Sequence, residues 1–326
     1  MSSSDENTGY YTALPPLWTP PSQELPFVLP LDEPAVDPRT KLHAYPLDAM
    51  LRAVDQTCPQ INMKEFDLIT NRKNLRALFD FVRNNIFKAG HRIDAEVIGG
   101  TVLFLGWSGN KYWNCKSYGV NFERAFTGSL SEGAIQHNRV VTYSLGNLKM
   151  MVGYQTDAYL GPAKFTSMAV PDNALAHSST IAATGLRIIH CDTALAAPES
   201  ILEIKTVRSG QQRLKSQTMA QMWFSQTPIL VLGWHDGEGL FSAVEKINVM
   251  ESGALGNWEA RHREDLQKML KLVEMIREHL IASPFKRQAI VLRGRSKDKQ
   301  AVVEFYSLMD PYELGLPHDL RAKWTQ

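Results

Sequence analysis

Cysteine is scarce in this chain, and its placement excludes two fold classes at once. Cys58, Cys115 and Cys191 lie far apart with no CxxC pair, which is neither a disulfide framework nor a zinc signature and suits a reducing compartment. Charge of one sign is missing as well: 35 basic residues stand against 34 acidic ones, so no global field marks a nucleic-acid coat. A local basic groove is still compatible with that balance, because only the groove has to meet phosphate. No apolar run reaches membrane-spanning length, and stretches such as Pro228 to Trp234 are strand-sized. The first residues, MSSSDENTGYYTALPPLW, lack a basic stretch followed by an apolar core, so no secretory signal is read and an intracellular, soluble protein is expected.

What is present is a globular composition, 44% apolar and 21% charged over 326 residues, enough for one large domain or two ordinary ones. Nine of the seventeen prolines precede residue 47. Proline fixes φ and removes a donor, so residues 1–45 are expected as an extended or disordered arm. A second reading is a strap pinned to the body by Trp18, Phe27 and Leu29. Residues 46–326 are taken as a single catalytic domain.

Helical spacing of Leu75, Leu78, Phe79, Phe81 and Val82 predicts a helix over Lys73 to Phe87. Arg92 to Ile98 and Thr101 to Leu105 around Gly99-Gly100 predict a β-hairpin. A helix is expected over Tyr112 to Thr127. Strands are expected at Val140 to Tyr143, Leu148 to Asp157, Leu186 to His190 and Ile201 to Val207. Arg213 to Ser225 reads as helix, Ile229 to Trp234 and Leu240 to Val249 as strands, and Glu259 to Ile281 as a long amphipathic helix. Gln300 to Tyr306 reads as a last strand. Strands and helices mix without strict alternation, so the expected class is α+β, a central mixed sheet flanked by helices.

The chemistry-bearing candidates begin with Glu203-Ile204-Lys205. On a strand Glu203 and Lys205 project to one face while Leu202, Ile204 and Thr206 project to the other. About one Glu-x-Lys triplet arises by chance in a chain of this length, and a solvated edge strand explains it equally. Asp157 ends another strand-like run; two carboxylates and the Ile204 carbonyl together make a hard-oxygen donor set suited to Mg²⁺. The Lys205 amine is then placed to orient or deprotonate a water aimed at phosphorus. Asp157 also reads as a turn residue before Leu160-Gly161-Pro162. Glu123 is a third acidic position, or a solvated helix residue, and Gln221 is an amide able to hold a phosphate, or an ordinary exposed glutamine.

Five short motifs come in a particular order: Asn71-Arg72-Lys73, Gly119-Val-Asn-Phe-Glu123, Gln155-Thr-Asp157, Glu203-Ile-Lys-Thr206 and Ala220-Gln221. In this order, over roughly residues 66 to 280, the chain resembles the DXO-like mRNA decapping exoribonuclease family, whose fold is the restriction-endonuclease-like PD-(D/E)xK fold. The resemblance implies that Glu123, Asp157, Glu203 and the Ile204 carbonyl hold Mg²⁺ or Mn²⁺. Lys205 and Gln221 then position the water and the scissile phosphate, and Arg72 contacts RNA phosphate. It implies removal of incomplete or non-standard 5′ caps, NAD caps among them, or of 5′ pyrophosphate, with 5′→3′ exonuclease activity in some members. Nuclear residence and a 5′→3′ exoribonuclease partner follow from the same resemblance; a cytoplasmic location is the alternative.

Two departures stand out. Gln155 sits where the family has Glu, and a neutral amide is a poor ligand for a second metal, which weakens a two-metal reading. Asn71 and Lys73 replace the Trp and Gly around Arg72. The Ala/Ser/Thr-rich stretch Ala174 to Thr184 reads as an inserted loop. Besides an active hydrolase, the sequence therefore leaves a diverged, weak or inactive member that binds RNA or protein, and an unrelated α+β protein with coincident motifs. Arg208, Arg213 and Lys215 supply a basic path after the Glu-x-Lys strand; Lys286-Arg287, Arg293, Arg295 and Lys297 add charge near the C-terminus.

Overall fold

The computed structural model describes residues 8–11, 14–22, 24–33, 45–85, 90–105, 117–128, 137–161, 178–181, 184, 187–190, 195–294, 300–308 and 315–324. They form a mixed α+β fold whose strands lie in two seven-stranded sheets and one three-stranded sheet. Two compact units emerge, each drawing on three stretches of chain: Met1–Thr40, Asn110–Arg139 and Gln155–Trp258 make the first; Lys41–Gly109, Val140–Tyr154 and Glu259–Gln326 make the second.

In the first unit the large sheet runs Phe27–Val28, Leu240–Asn248, Ile229–His235, Ile201–Arg208, Ala158–Tyr159, Leu17–Trp18, Thr127–Gly128. Ile201–Arg208 and Ile229–His235 are parallel, joined through the helix Ser216–Ser225. Strands in parallel pairs are covered on both faces, which is why Ile229-Leu-Val-Leu-Gly233 is buried without alternation. One face packs Leu202, Ile204, Val231 and Phe241 against Phe27, Phe122 and Phe126. The small sheet pairs Arg187–His190 with Thr8–Tyr11 and with Ser178–Thr180.

The second unit's sheet runs Val302–Ser307, Arg287–Arg293, His91–Ile98, Thr101–Phe104, Leu68–Asn71, Leu148–Thr156, His137–Leu145. The predicted hairpin is there, its turn made by Gly99 and Gly100 at φ +55° and +90°, a left-handed pair that glycine adopts without strain. Arg263–Ala282 buries Leu266, Met269, Val273, Ile276 and Leu280 at three- and four-residue steps and packs on Arg72–Val82. The last described segment seals this unit. Glu96, 1% exposed, accepts the Gly315 N–H at 2.9 Å and pairs with Arg321. Trp324 Nε1 donates to Thr101 Oγ1 at 2.9 Å, and Leu316, Leu320 and Trp324 join the core around Leu51, Ile69 and Leu103.

Several boundaries differ from the sequence reading for identifiable reasons. The helix expected over Tyr112 to Thr127 starts at Gly119, where the carboxylate of Asp32 meets its first free amides; residues 112–116 lie outside the described residues. The strand expected to end at Asp157 ends at Thr156. The helix expected over Glu259 to Ile281 is two helices, Ala254–Arg261 and Arg263–Ala282, parted where His262 leaves helical geometry at ψ +15°. Of the stretch read as an inserted loop, Ser178–Thr180 is a strand, and residues 174–177 and 182–183 lie outside the described residues. The proline-rich segment contributes Leu17–Trp18 and Phe27–Val28 to the first sheet, so its described residues are a strap pinned at the aromatic positions. Cys58 is an exposed free thiol, whereas Cys115, Cys191, Arg295 and Lys297 lie outside the described residues.

Candidate active site

The Glu-x-Lys strand is interior to its sheet. Ala158 pairs with Leu202 and Tyr159 with Ile201 in antiparallel register, which sets Asp157 opposite Glu203. Directly opposed residues project to one face, so Asp157, Glu203 and Lys205 share a face while Leu202 and Ile204 enter the aromatic core on the other. Asp157 is fixed by its own backbone partner: its Oδ2 accepts the Ile204 N–H at 2.8 Å.

Both carboxylates are removed from water, Glu203 at 1% and Asp157 at 7% exposure. A buried carboxylate is costly unless paired and hydrogen-bonded. Lys205 supplies the charge: its Nζ pairs with Glu203 Oε1, donates to the Ile204 carbonyl at 2.9 Å and lies 3.6 Å from Asp157 Oδ2. Gln221, from the helix Ser216–Ser225, donates through Nε2 to the same Glu203 oxygen. Glu123 comes from the helix Gly119–Phe126, which lays Phe122 and Phe126 on the Leu202–Ile204 face. That helix comes close because residue 233 is glycine: a Cβ there would stand 2.4 Å from the Phe122 ring.

Glu123 lies near enough to this group for its charge to act on Asp157. Burial pushes the Asp157 carboxyl up to about 8, and the neighbouring Glu203 and Glu123 carboxylates push in the same direction; Lys205 and the Ile204 N–H oppose them.

Among the described residues no three His, Cys, Asp or Glu side chains form a group able to hold a metal ion. A site built on two carboxylates and a backbone carbonyl needs no third side chain, and here the Lys205 ammonium acts as a stand-in cation touching that set: Glu203 Oε1, the Ile204 oxygen and, at longer range, Asp157 Oδ2. The donor chemistry is that of a hard divalent ion. Gln155, two residues before Asp157 on Leu148–Thr156, is half-buried and adds an amide instead of a charge.

Six of the expected residues, Glu123, Asp157, Glu203, Ile204, Lys205 and Gln221, thus come together in the first unit. Arg72 belongs to the second unit, where it is buried at the first turn of Arg72–Val82 with its guanidinium 5.5 Å from the Tyr154 ring centroid. The expected basic path is largely committed elsewhere. Arg213 pairs with Glu245, Arg208 Nε donates to the Asp236 carbonyl at 3.1 Å, and Lys215 Nζ donates to Gln211 Oε1 at 2.9 Å. Sequence reasoning missed Asp32, which touches the helix of Glu123; an acid in a proline-rich stretch carries no local signal of such a contact.

The same fold occurs in solved structures of Rai1. The S. pombe Rai1 structure with 3′-FADP aligns with a TM-score of 0.54 at 11% identity, covering 87% of each chain. Scheffersomyces stipitis Rai1 with (3′-NADP)+ and calcium gives 0.55 at 15% identity, covering 86% of this chain and 78% of that one. Candida albicans Rai1 with pU5-Mn2+ gives 0.54 at 10% identity, covering 85% and 79%. Rai1 is a DXO-family protein, so the resemblance drawn from the five motifs holds at the level of the fold. No curated protein sequence matches the chain. A family model described as a domain of unknown function (DUF8563) matches residues 14–324, and the chain belongs to that family.

Proposed function

We propose that this protein is a divalent-metal-dependent hydrolase acting at RNA 5′ ends, removing incomplete or non-standard caps or 5′ pyrophosphate. The observation that carries the reading is the Lys205 ammonium resting on Glu203, the Ile204 carbonyl and the edge of Asp157, a set of hard oxygens around one cation. The fold shared with Rai1 structures solved with nucleotide, calcium and pU5-Mn2+ supports the same choice of ligand class.

In this reading Asp157, Glu203 and the Ile204 carbonyl hold Mg²⁺ or Mn²⁺, with Glu123 adding charge. The ion, when bound, supplies Lewis-acid activation at the phosphoryl group. Lys205, displaced from its present partners, would orient the water that attacks the phosphate. Gln221 holds Glu203 in one orientation through its Nε2 bond, and Arg72 is assigned an RNA phosphate. One ion suits the donor set, since Gln155, two residues before Asp157, is neutral.

The test is hydrolysis of 5′-triphosphate, GpppN-capped and NAD-capped RNA with Mg²⁺ or Mn²⁺, beside a Glu203→Ala/Lys205→Ala variant. Product from the wild type alone supports the proposal; equal product from both overturns it. Gln155 favours a second reading, a diverged module that binds RNA without cutting it, and micromolar binding with no product selects that one.

A further inference from the structure

We propose that the proline-rich segment is a positioning element of the candidate active site and that Asp32 acts through the helix Gly119–Phe126 on Glu123. The inference rests on the assignment of Glu123 to the carboxylate cluster.

That helix has eight residues and begins with glycine. Isolated helices shorter than about 12 residues are marginal in water, because nucleation fixes several residues for one hydrogen bond. Its neighbour Tyr118 provides no side-chain cap. Ser117 Oγ accepts the Gly119 N–H at 3.3 Å, and the next two amides are met by a residue far away in sequence. Asp32 accepts the Val120 N–H at 3.1 Å and the Asn121 N–H at 2.8 Å, and takes a further bond from the Ser117 hydroxyl. A carboxylate at this end also opposes the helix dipole. The grip is reciprocal: Asn121 Nδ2 donates to the Pro30 and Leu31 carbonyls, each at 3.1 Å, and the Asp32 N–H donates to the Ser117 carbonyl at 2.8 Å.

The same strap closes the other end of the helix. Thr19 N–H donates to the Phe126 carbonyl at 2.8 Å, and the Trp18 ring stacks on Phe126 with centroids 5.1 Å apart. Between these two grips Phe27 stacks on Phe241 at 5.7 Å and Leu29 N–H reaches the Gly239 carbonyl at 3.0 Å, fixing the strap to the sheet. It also reaches the strand that follows Asp157, Ala158–Tyr159, since the Pro16 carbonyl accepts the Tyr159 N–H at 3.0 Å. Proline suits such a segment: it holds φ in the extended range and leaves carbonyls free to accept. A helix too short to stand alone is thus clamped at both ends by one strap, and its middle residue is Glu123.

The experiment uses the full chain with Asp32→Ala and Asp32→Asn, and Asn121→Ala as a milder second lesion should Asp32→Ala fail to fold. Amide hydrogen exchange over residues 119–126 is expected to speed up roughly tenfold in Asp32→Ala and less in Asp32→Asn, with residues 201–208 unchanged. Mn²⁺ affinity, titrated calorimetrically, is expected to fall several-fold. In a Glu123→Ala background the Asp32 substitution is expected to cause no further fall, an outcome that general loosening would not produce. Unchanged exchange over 119–126, or an equal loss of affinity in the Glu123→Ala background, overturns the proposal. A wild type that binds no divalent ion overturns the proposed function, and the exchange measurement alone then decides the clamp.

Discussion

Lys205 Nζ stands 3.6 Å from Asp157 Oδ2, close enough to screen it, while its direct bonds go to Glu203 and the Ile204 carbonyl. One ammonium therefore serves two buried carboxylates unequally, and Asp157 is left with the smaller share.

Replacing Lys205 with methionine removes that charge and leaves Glu203 and Asp157 facing each other. The Lys205 side chain is 33% exposed, so solvent screening limits the loss to about 1 to 3 kcal/mol, measured by urea denaturation in EDTA. Saturating Mn²⁺ should restore most of the stability and none of the hydrolysis. Stability that stays low in Mn²⁺ would mean that the ion and the ammonium do not occupy the same oxygens.

Asp157 makes the metal-free protein pH-sensitive. Its folded value of about 8, raised first by burial and then by Glu203 and Glu123, lies above the unfolded value near 4. The native state therefore prefers the protonated form; the stability this group contributes is complete below about pH 4 and is lost as pH rises towards 8. Unfolding free energy in EDTA should fall across pH 5 to 8 by a few kcal/mol, on the order expected for such a shift. Asp157→Asn should flatten that slope. Mn²⁺ binding at pH 6 to 7 should release a proton, seen by calorimetry in buffers of different ionisation heat; uptake or no exchange would refute the assignment.

The strand around Glu203 was legible from its apolar frame, whereas the Glu-x-Lys triplet within it was no more than chance supplies. Glu123, Asp157 and Gln221 were expected only through the order of the motifs that carry the resemblance. What the sequence hid was register. Only the pairing of Ala158 with Leu202 brings Asp157 opposite Glu203, and a two-residue strand has no periodicity to read. Leu17–Trp18 and Phe27–Val28 were hidden for the same reason, and the proline content around them pointed towards a tail. The helix Asp48–Thr57 was not foreseen; its buried Arg52 is held by Asp48 at 2.7 Å and by Asp319 at 2.8 Å, a long-range pairing that disguises a polar residue as a surface one.

Gly233 sets how closely the Glu123 helix lies on the sheet. Gly233→Ala pushes a methyl into the Phe122 ring and should cost about 1 to 3 kcal/mol, the usual range for overpacking. Adding Phe122→Leu should recover part of the loss. Thermal unfolding of the single and double variants measures the coupling, and strict additivity would place the strain elsewhere.

Gln221 tests whether Glu203 must be held as well as present. Gln221→Leu removes the Nε2 donor while keeping the volume nearly constant. Loss of such an outer partner typically lowers activity or metal affinity by about 10- to 100-fold. RNA cleavage rates and Mn²⁺ titration check this, with the melting temperature expected to move little. Full activity in the leucine variant would make the bond incidental.

The Glu96 carboxylate ties two distant stretches of chain into one sheet. It sits 1% exposed on a central strand, and its partners, the Gly315 amide and Arg321, lie 219 and 225 residues further along the chain. A buried carboxylate is costly without partners, so the strand His91–Ile98 settles only when that segment has docked on it. Completing this sheet is therefore a non-local event, of the kind that slows folding.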